Sequence, residues 1–270
     1  MKILVFTGGL GNQIFGYVFY QYLQKMFPNE KVYGIYSQNK MAEHHGLEID
    51  KYFNVNLPSS PIWVKLYTLY LYFLKKVHLC ESKISMDTRS FNLDSIVNNA
   101  CKMHIDYILQ SGNLPEFKKI VLSNKNKAIL SEIKSTHSVF VHVRRGDYYS
   151  PKYIARLGGT CPKEYYEKAI KYIINQSPNA RFFVFSDDIE YVKNNINIPN
   201  PIYIDWNKGE NSYLDMYLMS NCKYAIIANS TFSFWGAMLG NKKRIVTYPT
   251  KWVNEPATAP LIFPNNWITF

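Results

Sequence analysis

The sequence predicts an α/β protein in which parallel strands alternate with helices. Three observations support this prediction: apolar runs of strand length alternate with helical repeats, a glycine-rich turn follows the first strand, and charged residues directly follow a buried strand. Helices that connect parallel strands cover both faces of the sheet, so the strands read as short apolar runs. The 270 residues, 47% of them hydrophobic, suffice for one large domain or two small ones.

The N-terminal half begins with an apolar strand at residues 2–6, a glycine-rich turn and a helix from about Asn12 to Met26. Pro28 ends this helix, because proline has no backbone N–H with which to continue it. The later segments are predicted, in order, as a strand at 31–36, an irregular stretch at 38–61, a helix at 62–79 and a mostly helical stretch at 91–134.

The C-terminal half alternates strand and helix more regularly. Predicted strands cover 138–143, 181–185, 202–204, 224–228 and 244–248. Predicted helices cover 163–175, 212–220 and 229–239, and the first of these places Tyr166, Ala169, Ile170 and Ile173 on one face. We expect a domain boundary near residue 135, with domains at 1–135 and 136–270.

Composition narrows the classes of partner. The formal net charge is +11 and the pI is near 9.3, which suits an anionic ligand, a membrane surface or nucleic acid. Nucleic acid is disfavoured, because the lysines are scattered and neither a recognition motif nor a basic stripe is present. The four cysteines lack the spacing of zinc ligands, so we expect reduced thiols, a cytoplasmic protein and no metal site.

We expect no membrane-spanning segment and no signal peptide, because the chain enters a strand at once. The most apolar later stretch, 62–74, contains Lys65 and is too short to span a bilayer. A helix in the core or at an interface is the favoured interpretation of this stretch. Its tyrosines and the following Lys75 and Lys76 would also suit a helix on the inner face of a membrane.

A run of charged residues follows the strand predicted at 138–143. His142, Arg144, Arg145 and Asp147 are poor core material, because charges are rarely buried without partners. Ligands of α/β folds bind at the carboxyl ends of the strands, and a guanidinium matches phosphate oxygens, so this run predicts a diphosphate site. The alternative is a surface ion pair between Asp147 and an arginine, which would contribute under about 1 kcal/mol.

The glycine-rich turn that ends at Asn12 is a second candidate site. Gly9 and Gly11 would let backbone N–H groups approach a ligand, and the following helix N-terminus favours an anion. A dinucleotide fingerprint fits poorly, because Ile14 stands where a third small residue belongs and the strand at 31–36 ends without an acidic residue. A tight strand–helix turn without a ligand stays open as the alternative.

Two further strand ends carry polar residues. Asn229, Ser230 and Thr231 open a helix, where their hydroxyls and the free amides would either cap the helix or hold phosphate oxygens. Asp187 and Asp188 follow an earlier strand. The chain contains no Asp-x-Asp pattern of the kind used for metal binding, so we interpret these carboxylates as helix caps or as ligands of a sugar or base.

Together and in this order, these segments resemble the bacterial α-1,2-fucosyltransferases of glycosyltransferase family 11. The matching segments are GGLGNQIF at 8–15, HHGLEI at 44–49, HVRRGDY at 142–148, CPKEYYEKAI at 161–170, FSDD at 185–188 and NSTFSFWGA at 229–237. The segment at 142–148 is also similar to α-1,6- and protein O-fucosyltransferases, so it indicates GDP-fucose as donor. The chain departs from the family pattern at Tyr191, where a tryptophan is common.

The resemblance implies a GT-B-like fold, in which two Rossmann-like domains face each other across a cleft. The C-terminal domain would bind GDP-fucose, which is a co-substrate, so no cofactor and no obligatory metal are implied. The N-terminal domain would bind a galactose-terminated oligosaccharide or glycolipid. The implied activity is that of an inverting galactoside 2-α-L-fucosyltransferase in the synthesis of surface polysaccharide or O-antigen.

Residue roles follow from the negative charge that GDP gains as it leaves. We expect Arg144 to contact the diphosphate with support from His142, and Asn12 to reach the β-phosphate from the N-terminal domain. Preorganised groups of this kind stabilise developing charge. The other expected contacts to GDP-fucose are Gly9, Gly11, Asp187, Asn229, Ser230 and Thr231.

The sequence leaves the general base open. Asp147 lies in the right loop but would alternatively orient Arg145, and Glu48 and His44 are candidates from the acceptor half. Strong stabilisation of the leaving group would make a dedicated base unimportant. The competing functions are transfer from a GDP-sugar with another linkage, and a nucleotide- or carbohydrate-binding protein without catalysis.

Overall fold

The computed structural model describes residues 1–37, 41, 45–79, 83–85, 93–99, 105–112, 114–240, 244–254 and 263–270. Within this part of the chain, the residues up to Lys118 form one compact unit and those from Lys119 onward form a second. The division falls earlier than residue 135, because Ile129, Leu130 and Ile133 pack into the core of the second unit. Which unit binds which substrate stays a prediction.

The first unit is built on a four-stranded parallel sheet in the order β2-β1-β4-β3. Its elements are β1 (Lys2–Phe6), α1 (Leu10–Met26), β2 (Val32–Tyr36), α2 (Ile49–Tyr52), α3 (Ile62–Lys76), β3 (Ile84–Ser85), β4 (Val97–Asn99) and α4 (Ile105–Ser111). Every residue of β1 is buried, as expected of a central strand that is covered on both faces.

The second unit contains a six-stranded parallel sheet in the order β10-β9-β8-β5-β6-β7. Its strands are β5 (His137–Val143), β6 (Ala180–Ser186), β7 (Ile202–Ile204), β8 (Tyr224–Ile226), β9 (Ile245–Tyr248) and β10 (Ile268–Thr269). Its α-helices are α5 (Asn124–Ser135), α6 (Ile154–Leu157), α7 (Lys163–Gln176), α8 (Ile189–Asn195), α9 (Tyr213–Asn221) and α10 (Thr231–Met238). This strand order is that of the doubly wound nucleotide-binding fold.

Alternate residues of β5 build two separate core layers in the second unit. Val139, Val141 and Val143 pack with α7 and α8 on one face of the sheet. Phe140 packs with α5, α9 and α10 on the other face. Because neighbouring side chains of a strand point to opposite faces, the short apolar run of β5 supplies both layers.

The predicted α/β class is confirmed, and some local predictions are wrong. The stretch at 91–134 contains strand β4 as well as α4 and the start of α5, and no regular element covers 114–123. Strands β3 and β10 are only two residues long, too short to leave an apolar pattern. No helix in the described part of the chain is long and apolar enough to cross a membrane.

Candidate functional site

The candidate site lies where the strand order of the second sheet reverses. The chain runs from β5 outward through β6 to β7, and then returns to β8 on the other side of β5. Ligands of doubly wound folds bind in the crevice at this point, beyond the carboxyl ends of the strands. The two loops that leave β5 and β8 are in contact there, because the Tyr148 hydroxyl donates to the Asn229 carbonyl oxygen at 3.2 Å.

Arg144 is held by two carboxylates. Its Nη2 donates to Asp147 Oδ1 at 2.7 Å, and its Nη1 lies 3.1 Å from Asp187 Oδ2. Burial opposes the charged form, but the two carboxylates outweigh burial and raise the pKa of Arg144. A guanidinium has five N–H donors, so these two contacts leave others for a ligand. The side chain is therefore a fixed cation with donors to spare.

Asp187 uses both carboxylate oxygens to hold the loop. Its Oδ1 accepts the backbone N–H of Arg145 at 2.9 Å, and its Oδ2 pairs with Arg144. The carboxylate lies so close to Gly146 that a Cβ there would sit 2.5 Å from Oδ2. A side chain at 146 would therefore displace the Asp187 carboxylate, which supports the loop.

Arg145 lies between two tyrosine rings. Its guanidinium carbon is 3.4 Å from the ring centre of Tyr191 and 3.9 Å from that of Tyr149. Its Nε lies 3.4 Å from Asp188 Oδ2, while Asp188 Oδ1 caps α8 by accepting the Tyr191 N–H at 3.0 Å. The two stacked rings and the ion pair with Asp188 make Arg145 a support of the loop.

His142 is buried near the end of β5. The centre of its imidazole ring lies 6.0 Å from the centre of the Phe232 ring. Burial, reinforced by the positive charge of Arg144, lowers the pKa of His142 to about 3. The imidazole is therefore neutral at physiological pH. Its buried Nδ1 has no hydrogen-bond partner among the described residues.

The loop after β8 ends at the N-terminus of α10. Ser230 caps this helix, since its Oγ accepts the Phe232 N–H at 3.3 Å, and Thr231 is the first helical residue. The side chain of Asn229 is engaged within the protein: its Nδ2 donates to the Trp252 carbonyl at 3.0 Å, and its Oδ1 contacts the Cys161 thiol at 3.4 Å. Ser230 thus engages one N–H group of the helix N-terminus, an end that favours anions, while Asn229 braces the loop.

Two buried tyrosines of α7 fasten the strand ends beneath the site. The Tyr165 hydroxyl contacts the carbonyl oxygens of Ile227 and Thr247 at 2.6 and 3.1 Å. The Tyr166 hydroxyl donates to the His142 carbonyl at 3.2 Å. The segment at 161–170 therefore positions the site from below, because its hydroxyls meet the ends of three neighbouring strands.

An open hollow of about 240 Å³ lies beside Arg144. Its lining residues are Val143, Arg144, Arg145, Tyr149, Leu157, Gly159, Thr160, Cys161, Tyr191 and Asn229. Burial raises the pKa of the Cys161 thiol to about 11, so the hollow adds no thiolate.

The first unit carries the glycine-rich turn. Gly8 has a φ of +75°, and a Cβ there would meet Asn12 Nδ2 at 2.3 Å, so the turn requires glycine at this position. Gly9 precedes α1 in extended conformation, and Gly11 lies in the first turn of the helix. The half-buried Asn12 amide makes no hydrogen bond to another described residue, so it is available to a ligand.

Gln13 joins this turn to the segment that carries Glu48. Its Nε2 donates to the carbonyl oxygens of Gly8 and Gly46 at 3.0 and 2.8 Å. Its Oε1 accepts the backbone N–H groups of Glu48 and Ile49 at 2.8 and 3.1 Å. The buried amide thus brings two sequence motifs, more than 30 residues apart, into one structure. Glu48 itself is buried, and His44 lies outside the described residues.

The structure groups the expected donor-side residues at the reversal point of the second sheet. His142, Arg144, Asp147, Asp187, Asn229, Ser230 and Thr231 all lie there, while Gly9, Gly11, Asn12 and Glu48 belong to the first unit. Sequence reasoning missed the stacking of Tyr149 and Tyr191 and the role of Gln13. The matching segments contained Gln13, but nothing in the sequence shows its partners.

Comparison with known proteins identifies the family. Residues 107–270 match the model of glycosyl transferase family 11. An α-1,2-colitosyltransferase of Escherichia coli is 32% identical over 273 residues, which cover 93% of this chain and 93% of that protein. The O-antigen biosynthesis glycosyltransferase WbnK of Escherichia coli is 35% identical over 189 residues, covering 69% of this chain and 55% of that protein.

The fold also matches a solved structure. The crystal structure of the fucosyltransferase NodZ from Bradyrhizobium aligns with 88% of this chain and 92% of that chain, with a TM-score of 0.51 and 12% identity. At this identity the match shows the fold alone, and it confirms the GT-B-like class. The family model and the colitosyltransferase together show that the chain belongs to glycosyltransferase family 11.

Proposed function

We propose that the protein transfers L-fucose from GDP-fucose to the 2-hydroxyl of a terminal galactoside, with inversion, in the synthesis of surface polysaccharide or O-antigen. The observation that carries the proposal is the placement of Arg144, a guanidinium fixed by Asp147 and Asp187 at the reversal point of the second sheet. The resemblance of the loop at 142–148 to fucosyltransferases supports the choice of donor.

The reaction requires the leaving group to be stabilised. The bond between the anomeric carbon and the β-phosphate oxygen breaks, and its electron pair stays on GDP. The acceptor oxygen bonds to the opposite face of that carbon, and its proton passes to a base or to solvent. Arg144, the N–H groups at the start of α10 and the hydroxyls of Ser230 and Thr231 would neutralise the growing charge.

The neutral His142 would act as a hydrogen-bond donor rather than as a cation, because burial suppresses its protonation.

Protein groups alone supply the neutralising charge in this proposal, so no metal ion is obligatory. Transfer that continues at its full rate in excess EDTA would support this point. A rate that is restored only by a divalent cation would contradict it.

The acceptor would bind to the first unit, where the Asn12 amide would donate a hydrogen bond to the β-phosphate or to the sugar.

Asp147 and Glu48 remain the proposed bases within the described residues. Asp147 already accepts a hydrogen bond from Arg144, so one of its two carboxylate oxygens is engaged. The pH dependence of the transfer rate in Asp147→Asn and Glu48→Gln tests both candidate bases. The variant in which the rate no longer falls at acidic pH identifies the base.

The direct test is incubation with GDP-fucose and a panel of galactosides, followed by determination of the product linkage. An α-1,2 linkage supports the proposal, and another linkage replaces it with a different GDP-sugar transfer. Absence of GDP release from GDP-fucose with every acceptor in the panel would instead indicate a binding protein without transfer. We propose a cytoplasmic location, which the free thiols of Cys161 and Cys222 support.

Colitosyl transfer is a second candidate, favoured by the 32% identity to an α-1,2-colitosyltransferase over nearly the whole chain. Colitose is L-fucose without the 3-hydroxyl. A site that hydrogen-bonds a substrate hydroxyl rejects the analogue that lacks it by about 10⁴–10⁵-fold, whereas an apolar site discriminates weakly. The ratio of kcat/KM for GDP-fucose and GDP-colitose therefore distinguishes the two functions.

A further inference from the structure

Helix α3 of the first unit presents a broad apolar face to solvent. The exposed fractions are 72% for Ile62, 60% for Leu66, 63% for Leu69 and 62% for Phe73. These positions follow the i, i+4, i+7, i+11 spacing of a single helix face. Trp63 and Tyr70, both exposed, border the same face. Soluble proteins rarely leave such a contiguous apolar surface without a partner.

The opposite face of α3 packs in the core of the first unit. Val64, Thr68 and Leu71 are buried. Val64 and Leu71 pack in one cluster with residues of the underlying sheet, among them Ile3 and Val97. The outer face therefore cannot be buried by turning the helix, because that would pull the inner face out of the core. No described residue of the unit covers the outer face, so we look for its partner beyond the described residues.

The charged residues of α3 indicate which kind of partner covers its apolar face. Lys65 and Lys76 are exposed along one edge of the apolar face, and the helix contains neither Asp nor Glu. Lys75 differs, because its Nζ contacts the Ile84 carbonyl at 3.4 Å. The chain as a whole carries a net charge of +11. An apolar stripe edged by lysines, with tryptophan and tyrosine at its border, matches an anionic lipid surface.

We propose that the outer face of α3 docks on an anionic lipid bilayer, with the helix lying in the plane of the interface. The apolar side chains enter the boundary between head groups and acyl chains, and Lys65 and Lys76 contact lipid phosphates. A second copy of the chain fits less well, because α3 offers no carboxylate to pair with the lysines of its twin. The 15 residues of α3 lie on the bilayer and do not cross it.

Flotation with vesicles tests the proposal. The full chain is mixed at low salt with phosphatidylcholine vesicles that contain or lack phosphatidylglycerol. We expect co-flotation with the anionic vesicles that weakens as salt is added. Leu69→Ser/Phe73→Ser should reduce the bound fraction about tenfold or more, because two apolar anchors are lost. Lys65→Gln/Lys76→Gln should retain weak binding but lose the preference for phosphatidylglycerol.

Leu109→Ser is the matched control, since Leu109 is an exposed leucine of the same unit on another helix. All variants change exposed positions and should unfold at the temperature of the wild type, which excludes loss of the fold as a cause. Absence of flotation by the wild type, or undiminished flotation of Leu69→Ser/Phe73→Ser, would overturn the proposal. A lipid-free dimer that this double variant converts to a monomer would also overturn it, in favour of a second copy.

Discussion

Arg144 and Asp187 form an ion pair, with Nη1 3.1 Å from Oδ2, across the ends of the neighbouring strands β5 and β6. The other oxygen of Asp187 accepts a backbone N–H from the same loop. The pair therefore fixes the direction of the guanidinium as well as its charge. A cation that is fixed before the substrate arrives needs no reorganisation in the transition state, which is the basis of electrostatic catalysis.

Asp187→Asn should slow transfer without unfolding the protein. The amide keeps the size of the side chain but removes the charge that holds Arg144, so the guanidinium gains freedom. Misplacement of a catalytic group by this route lowers kcat by roughly 10–100-fold. Steady-state kinetics measures the effect, with Asp205→Asn as control, since Asp205 is an exposed aspartate of the same unit. Equal losses in the two variants would remove the special role of Asp187.

Gly146→Ala should act on the same contact. The added Cβ would lie 2.5 Å from Asp187 Oδ2, so the carboxylate or the loop must move. We expect a loss of activity similar to that of Asp187→Asn. Because both changes break one arrangement, the double variant should be little worse than either single variant. If the activity losses of the two single variants multiply in the double variant, the two residues act independently.

Gln13→Ala should destabilise the first unit. The change leaves the backbone N–H groups of Glu48 and Ile49 without their acceptor, and an unsatisfied buried donor costs about 1–3 kcal/mol. Denaturant unfolding measures the loss against Gln24→Ala, an exposed glutamine of the same helix. If Gln13→Ala is as stable as this control, the amide does not fasten the segment at 46–49.

Asp215→Asn should stabilise the protein more at alkaline than at acidic pH. Burial raises the pKa of Asp215 to about 7, although the hydrogen bond from Asn207 opposes the rise. Because this pKa exceeds the unfolded value, the stability contributed by the protonated carboxyl is full below about pH 4 and is lost as pH rises through about 7. Asparagine does not titrate, so the gain in Tm should be larger at about pH 8 than at about pH 5. A gain that does not change with pH would contradict this assignment.

Local pattern predicted most of the strands of the second sheet and the polar residues at their carboxyl ends, because buried strands end in conspicuous polar residues. Arg144, Asp187 and Ser230 each follow a strand of the same parallel sheet, so they lie at one edge of it. The roles of Tyr191 and Gln13 were not predictable, because stacking and amide hydrogen bonds join residues far apart in sequence.

Helix α3 illustrates a different limit. Its apolar composition favoured a helix in the core or at an interface, and Val64 and Leu71 do lie in the core. Leu66 and Phe73 are equally apolar and point to solvent. Hydropathy identifies apolar side chains but does not show whether the core of the protein or another partner covers them.

The rate of fucosyl transfer by Arg144→Ala tests the central claim most directly. The variant should bind acceptor and unfold like the wild type, because Asp187 still holds the loop through the Arg145 N–H. With saturating GDP-fucose and a galactoside acceptor, we predict that kcat falls about 10²–10³-fold, the usual loss when one donor to a developing charge is removed. A folded Arg144→Ala protein that transfers fucose at nearly the wild-type rate would contradict the account.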